Sequence, residues 1–163
     1  GITISNTLDN YSEEDWDLTY KVNLKAPFQI VKNLSKTLIK NKLNNSSIIN
    51  ITSLNSSLAF PDNPAYISFK GGLKQLTKSF AYDLGKYNIR SNSIAPGYIQ
   101  TNMTKKSYSV LHKRKLIKSK TMLNRWGNSN DLVGIVIFLI SPASSYITAE
   151  NIFVDGGWSS KGI

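Results

Sequence analysis

The sequence contains no cysteine, and this absence removes several classes of protein at once. A disulfide framework, thiol catalysis and zinc or iron held by cysteine are all excluded. Long apolar runs are missing as well, because the longest one, LVGIVIFLI at 132–140, is far too short to span a bilayer. No charged-then-apolar signal peptide opens the chain. We therefore expect a cytoplasmic protein with no membrane partner and no metal site.

Acidic residues are also scarce. Ten Asp and Glu stand against 20 Lys and Arg, which gives a net charge of +10. Many of the basic residues lie between 105 and 120, namely Lys105, Lys106, Lys113, Arg114, Lys115, Lys118 and Lys120. Such a patch could hold nucleic acid or an acidic substrate. The chain is rich in Asn, Ile and Lys throughout, which favours a solvated surface segment, and nothing resembles a nucleic-acid recognition helix. We expect no nucleic-acid partner.

The apolar residues that are present follow helical and strand patterns. Ser12 is followed three residues later by Asp15, a capping box that predicts a helix start. Apolar residues at helical spacing continue this helix towards Asn44 and Asn45: Trp16, Tyr20, Leu24, Phe28, Val31, Leu34 and Leu38. A second helix is predicted over 63–87, and a third from Asn130-Asp131 to before Pro142.

Three short segments are predicted to be strands, at 46–52, 89–95 and 151–154. The first is rich in β-branched residues and predicts a strand buried on both faces, as in a parallel sheet. The second is predicted to be another buried strand, ended by Pro96-Gly97. The segment 98–125 is polar and basic, and we expect an irregular insert with one or two short helices. Alternating helices and strands of this kind predict parallel βαβ units and an α/β fold.

The pair Tyr66 and Lys70 is the first candidate for chemistry. Residues four apart share one face of a helix. An ammonium near a phenol lowers the pKa of the phenol, which would suit Tyr66 to general acid–base catalysis. The spacing alone is weak evidence, since an ordinary surface pair on a helix looks the same.

Two further residues place this pair in a context. Ser53 follows the strand at 46–52, and ligands bind at the carboxyl edge of open α/β sheets. Asn23 precedes Pro27 by four residues, and proline has no N–H to donate to the Asn23 carbonyl. The free carbonyl could face a water molecule, or the proline could be a tolerated defect in an exposed turn.

These residues and their surroundings resemble the short-chain dehydrogenase/reductase family over nearly the whole chain. The motifs that carry the resemblance occur in the family's order: Asn23 in VNLKAPF, Ser53 in IINITS, Tyr66 and Lys70 in AYISFKGGL, Pro96-Gly97 in IRSNSIAPGYIQT, and the closing Asp155-Gly156-Gly157. The resemblance implies a doubly wound, Rossmann-type parallel sheet. It also implies hydride transfer between NAD or NADP and a carbonyl or alcohol carbon of a small molecule.

The resemblance implies a role for each matched residue. Tyr66 would be the acid/base, Lys70 would lower its pKa and hold the nicotinamide ribose, Ser53 would bind the substrate oxygen, and Asn23 would hold a relay water through its carbonyl.

The cofactor-binding residues implied by the resemblance include Tyr66 and Lys70 together with a second segment. There, Pro96, Gly97 and Ile99 would border the nicotinamide, and Thr101 would contact its carboxamide or the phosphates. The insert at 98–125 would be the substrate lid, and variable, mobile segments of this kind close over sites that exclude water.

One family feature is missing, namely the Gly-x-x-x-Gly-x-Gly turn that holds the cofactor phosphates. Gly1-Ile2 resembles the end of the family's Asn-Asn-Ala-Gly motif. We therefore expect residues 1–163 to be a partial domain, containing about the last three strands and their helices, with the N-terminal half absent. Such a chain should expose an apolar sheet edge and lack dehydrogenase activity by itself. A homo-tetramer or dimer is expected for the full-length protein.

Within the family, the sequence is most similar to gluconate 5-dehydrogenase and related sugar dehydrogenases. The residues that indicate this branch include the segment at 11–16, the stretch LNRWG at 123–127 and VDGGW at 154–158. A sugar-acid-like substrate is therefore expected. Two alternatives stay open: an enzyme resembling 3-oxoacyl carrier-protein reductases, and a truncated fragment with no activity of its own.

Overall fold

The computed structural model describes residues 1–43 and 45–162. Six α-helices are found in these residues: α1 (Glu13–Tyr20), α2 (Ala26–Lys40), α3 (Pro64–Gly85), α4 (Lys105–Ser109), α5 (Leu111–Lys120) and α6 (Val133–Ile140). The same residues form three strands: β1 (Ser47–Ile51), β2 (Arg90–Pro96) and β3 (Asn151–Val154). No helix in the described part of the chain is long and apolar enough to cross a membrane.

The described strands form a parallel sheet in the order β1-β2-β3. Ile49 pairs with Asn92, and Ile94 pairs with Ile152. The prediction of an α/β fold with parallel strands is confirmed. Strand β2 is central and is buried from Arg90 to Ala95, as predicted, because a strand covers each of its edges and other elements cover its faces.

Strand β1 differs from the prediction, which placed it in a layer buried on both faces. Ile48 and Asn50 are buried, but Ile51 is 48% exposed. The second face of β1 opens into a groove of about 470 Å³ that is also lined by Ile30 and Leu34 of α2. The predicted open, apolar edge of the sheet is thereby confirmed, and it explains why burial on both faces was wrong for this strand.

The first predicted helix is interrupted by one wide turn. Ser12 accepts a hydrogen bond from the Asp15 N–H at 3.1 Å, so the predicted helix start is correct. Residues 21–25 then form a π-helical turn, in which the Ala26 N–H donates to the Lys21 carbonyl, five residues back. Pro27 follows directly and has no N–H, so it cannot form the hydrogen bond to the Asn23 carbonyl that a regular α-helix would contain at this point. The wide turn lies where that hydrogen bond is missing.

Helix α2 ends earlier than predicted. Its last residue is Lys40, and Asn41 and Lys42 form a turn. Of the two predicted end residues, Asn44 lies outside the described residues and Asn45 lies beyond the helix, with a positive φ of 65°. Asparagine tolerates this left-handed conformation better than most residues, which is typical of a turn rather than a helix.

The main core lies between the sheet and helices α2 and α3. It is formed by the buried side chains of Val31, Ile48, Phe80, Leu84 and Ile89. Helix α3 contributes the largest share because its apolar residues recur at helical spacing along one side. This packing fixes α3 against β1 and β2, which matters below because α3 carries Tyr66 and Lys70.

The polar insert at 98–125 contains the two short helices α4 and α5, as predicted. Its ends are joined, since Ile99 and Gly127 form a parallel bridge and the Gln100 N–H donates to the Gly127 carbonyl at 2.9 Å. Trp126 is buried, and its indole N–H donates to the Arg114 carbonyl at 3.0 Å. His112 is exposed on α5. The insert is therefore folded against the body of the domain at its base.

The segment leading into α6 begins with a complete capping box. Asn128 is the N-cap of a 3-10 turn over Ser129–Leu132, and the Asp131 carboxylate accepts from the Asn128 N–H. Arg125 forms two hydrogen bonds to the same carboxylate, the shorter at 2.7 Å. The hydrogen bonds from Arg125, followed by the one from Asn128, lower the pKa of Asp131 to about 2.

Asp131→Asn is expected to make stability less dependent on pH. A carboxylate whose pKa is lowered on folding stabilises the protein above its unfolded pKa, near 4, and this contribution is lost as the pH falls through about 2. The difference in urea midpoint between wild type and variant should be constant above about pH 5 and should shrink towards pH 2. Arg125→Gln should reduce the same pH dependence. A difference that stays constant down to pH 2 would contradict the assignment.

The open groove should bind apolar dyes. We expect the 163-residue chain to bind 8-anilinonaphthalene-1-sulfonate, and Ile30→Lys to lower the saturating fluorescence by roughly half, because Ile30 is 64% exposed and lines the groove. Asn33→Lys is the matched control, since it adds the same charge to an exposed position of α2 that does not line the groove. Equal loss in both variants would show that charge, not the groove wall, controls binding.

Candidate active site

Ser53 and Tyr66 meet at the carboxyl edge of the sheet. Ser53 follows β1 and is the N-cap of the 3-10 turn Leu54–Ser56, where its hydroxyl accepts from the Asn55 N–H at 3.2 Å. Tyr66 lies in the first turn of α3, which Pro64 begins. Both side chains line a cleft of about 230 Å³, together with Pro96 and Gly97.

Lys70 lies one turn after Tyr66 on α3 and is almost fully buried, with 6% of its surface exposed. Its ammonium donates to the Ile51 carbonyl at 2.7 Å and lies 5.7 Å from the centre of the Tyr66 ring. Removal from water disfavours the charged form, so burial lowers the pKa of Lys70 to about 8. The predicted face-sharing pair is therefore present, and its cation is buried.

The direction of the Tyr66 pKa differs from the sequence prediction. Burial raises the pKa of Tyr66, and the neighbouring Ser53 hydroxyl opposes this in part. We expected Lys70 to lower that pKa. The prediction was wrong for this structure, because the ammonium donates to Ile51 and lies over the ring of Tyr66 rather than at its oxygen.

Asn23 lies in the π-helical turn and is 1% exposed. Its side-chain amide donates to the Ile2 carbonyl at 2.9 Å, and its amide oxygen accepts from the Ile2 N–H at 3.2 Å. Asn23 therefore fixes the first residues of the chain beside Lys70, and a Cβ at Gly1 would lie 3.4 Å from the Lys70 ammonium. The predicted role of its carbonyl in holding water stays a prediction.

The residues predicted to border the nicotinamide, and Thr101, predicted to contact its carboxamide or the phosphates, do not all line the cleft. Pro96 and Gly97 do, but Ile99 lines a neighbouring cavity of about 130 Å³, and Thr101 is exposed. Gly97 requires the absence of a side chain, because a Cβ there would lie 2.8 Å from the Cα of Asp155. The Gly97 N–H donates to the Val154 carbonyl, which closes the end of β2 onto β3.

Sequence reasoning missed several residues of the cleft. Tyr98 lines it and stacks on Trp158, with ring centres 5.3 Å apart. Thr3, Ser5 and Asn63 line its opposite side. The signal available for Thr3 and Ser5 was the alternation of apolar and polar residues in ITIS, which is typical of an extended segment with one polar face.

Comparison with known proteins gives the class of this domain. A family model described as enoyl-(acyl carrier protein) reductase matches residues 1–159. The chain belongs to this family of short-chain dehydrogenases/reductases. It is 39% identical over 158 residues to the uncharacterized oxidoreductase YgcW of Escherichia coli, covering 97% of this chain and 60% of that protein. It is 36% identical to the 3-oxoacyl-[acyl-carrier-protein] reductase FabG of Thermotoga maritima, covering 96% and 62%.

Solved structures agree with this class. The chain superposes on a gluconate 5-dehydrogenase from Burkholderia cenocepacia, in complex with NADP and tartrate, with a TM-score of 0.95 and 32% identity, covering 99% of this chain and 63% of that one. A 4-hydroxyisoleucine dehydrogenase complexed with NADH matches with a TM-score of 0.95 and 35% identity, covering 99% and 66%. The fold is thus a Rossmann-type one, and the chain spans about three fifths of the length of these curated relatives.

The buried amine of Lys70 should titrate well below an ordinary lysine. In the protein without nucleotide we expect a midpoint of about 8, followed through the Cε chemical shift of isotope-labelled lysine, since burial disfavours the ammonium. Lys70→Arg assigns the signal by removing it. A midpoint near the ordinary value of about 10.4 would contradict the burial of this group.

Proposed function

We propose that the complete protein is an NAD(P)-dependent oxidoreductase that transfers a hydride between the nicotinamide and a carbonyl or alcohol carbon of a sugar-acid-like small molecule. The observation that carries the proposal is the convergence of Ser53, Tyr66 and Lys70 at one end of the sheet. Hydroxyl and phenol come from separate segments of the chain and line one cleft, and the Lys70 amine lies one turn after Tyr66 on α3, 5.7 Å from the centre of its ring. Chance pairs on a helix surface do not produce this arrangement.

The chain's own residues fit such a nucleotide. Lys70 uses one of its three N–H donors on Ile51, which leaves others for a ribose hydroxyl. Pro96 and Gly97 line the cleft at the end of β2, where their backbone would lie against a flat ring. When bound, the nicotinamide supplies or accepts the hydride. NADP and NADH are the cofactors in the two solved relatives.

The proton is handled by Tyr66 in this proposal. A buried phenol with a raised pKa keeps its proton at neutral pH, so Tyr66 is prepared to donate it to a substrate oxygen that gains negative charge. Ser53 is positioned beside Tyr66 and would hydrogen-bond the same oxygen. Lys70 and a water held by the Asn23 carbonyl would return the proton to Tyr66.

The proposal also includes the remaining predicted contacts. Ile99 would border the nicotinamide from behind Gly97, and Thr101 would reach the carboxamide or phosphates after movement of the insert. The insert at 98–125 would act as the lid. The support is that Met103, Thr104 and Ser107 of this insert line the cleft.

One alternative substrate has its own support. FabG of Thermotoga maritima is named as a 3-oxoacyl-[acyl-carrier-protein] reductase, and the basic side chains of α5 would suit an acidic carrier protein.

A separate proposal concerns the 163-residue chain by itself. We propose that it is inactive, because the groove beside β1 leaves apolar surface uncovered.

We also propose a homo-tetramer or dimer for the complete protein. The support is the apolar surface left on α3, on α6 and just after α6, where large side chains are exposed: Tyr82, Val133, Ile137, Ile140 and Tyr146. Surfaces of this kind mark sites of protein association.

Tyr66→Phe tests the catalytic role directly. In the complete protein we expect kcat for reduction of a ketone by NADPH or NADH to fall by about 10²- to 10⁴-fold, since the proton donor is lost, while nucleotide binding measured by fluorescence changes little. Tyr87→Phe is the matched control, because Tyr87 lies just after the same helix, packs against the main core and does not line the cleft. Retained activity in Tyr66→Phe, or equal loss in both variants, would refute the proposal.

A further inference from the structure

The cleft has a polar wall that the proposed chemistry does not use. Residues 2–5 alternate, with Ile2 and Ile4 half-buried and Thr3 and Ser5 exposed. The Tyr11 hydroxyl donates to the Ile4 carbonyl at 3.0 Å and holds this segment in place. Thr3 and Ser5 both line the cleft that also contains Ser53 and Tyr66.

Both hydroxyl groups of this wall already donate their protons in hydrogen bonds within the chain. Thr3 Oγ1 and Ser5 Oγ each donate to the same acceptor, the Asn63 Oδ1 atom, at 2.9 Å. A hydroxyl has one proton and two lone pairs. Both oxygens therefore retain only acceptor capacity for a molecule in the cleft.

The orientation of the Asn63 amide is fixed by its other end. Asn63 Nδ2 donates to the Pro61 carbonyl at 3.0 Å, which directs Oδ1 towards the two hydroxyls. The backbone adds a further link, because the Asn6 N–H donates to the Asp62 carbonyl at 3.0 Å. The two segments therefore hold one another in register, and the donor and acceptor pattern of the wall is set before any ligand arrives.

We infer that Thr3, Ser5 and Asn63 form a hydroxyl-recognition wall that selects a polyhydroxylated substrate over an acyl chain. Substrate hydroxyls can donate to the lone pairs of Thr3 and Ser5. An acyl chain offers no donor and would leave these oxygens unsatisfied, and a carboxylate, which only accepts, finds no donor on these two hydroxyls. The wall thus receives the hydroxylated part of the substrate, and any carboxylate lies elsewhere. This inference rests on the proposed function and narrows its substrate class.

The test compares two ketones in the complete protein, with 5-keto-D-gluconate as the polyhydroxylated probe and ethyl acetoacetate as the hydroxyl-free one. The readout is the ratio of their kcat/KM values, measured by oxidation of NADPH or NADH. We expect the ratio to exceed one in the wild type and to fall at least about tenfold in the double variant Thr3→Val, Ser5→Ala, which removes two acceptors and little volume. Thr37→Val is the control, since Thr37 is exposed on α2 and outside the cleft, and its ratio should be unchanged.

Thr3→Ser retains the hydroxyl and should keep the ratio within about twofold of wild type, which a purely structural role of Thr3 would not predict. The inference is overturned if the double variant loses activity on both ketones equally, or if ethyl acetoacetate is the better substrate of the wild type. These results leave the proposed function standing, provided that reduction of ethyl acetoacetate still depends on Tyr66. If neither ketone is reduced with either nucleotide, the proposed function fails and this inference fails with it.

Discussion

The hydrogen bond from the Lys70 ammonium to the Ile51 carbonyl is the contact on which the candidate site depends. It joins helix α3 to the last residue of β1 at 2.7 Å, and it does so with a charge that is almost fully removed from water. A buried ammonium without such a partner would be very costly, so the bond and the burial require one another. Because Ser53 follows Ile51 by two residues and Tyr66 precedes Lys70 by one turn, this one contact sets the distance between hydroxyl and phenol.

Asn23 gives the same site a second anchor. The π-helical turn exists where Pro27 removes a backbone donor, and the turn places the Asn23 amide against both backbone groups of Ile2. The Asn23 amide thus pairs with a backbone N–H and a backbone C=O at once, as the backbone of a neighbouring β-strand would. The irregular turn thereby fixes two residues that are 21 apart in sequence, Ile2 and Asn23, to one another.

Much of this could be predicted from sequence, and the reasons for success and failure are physical. Strands β2 and β3 were predicted to within a residue, because turn residues mark where each ends, Pro96-Gly97 for β2 and Asp155-Gly156-Gly157 for β3. The exposure of Ile51 could not be predicted from the residues of the strand, since it depends on what lies beyond the sheet edge; it was expected only from the missing first half of the family's fold. The face shared by Tyr66 and Lys70 follows from helix geometry, but the direction in which a flexible lysine points does not. Thr3 and Asn63 are 60 residues apart and carry no common motif, so only the folded chain reveals their contact.

The aromatic residues at the cleft affect the tryptophan fluorescence of the domain. Trp158 stacks on Tyr98 with ring planes 19° apart, and Tyr98 also meets Trp126 edge to face, with centres 5.4 Å apart. Tyr98 lines the cleft, so any molecule that enters it changes the surroundings of two of the three indoles in the chain. The third, Trp16, lies on α1 against Phe69. The intrinsic emission of this domain is therefore dominated by residues at or near its cleft, and the protein carries its own reporter of occupancy without a label.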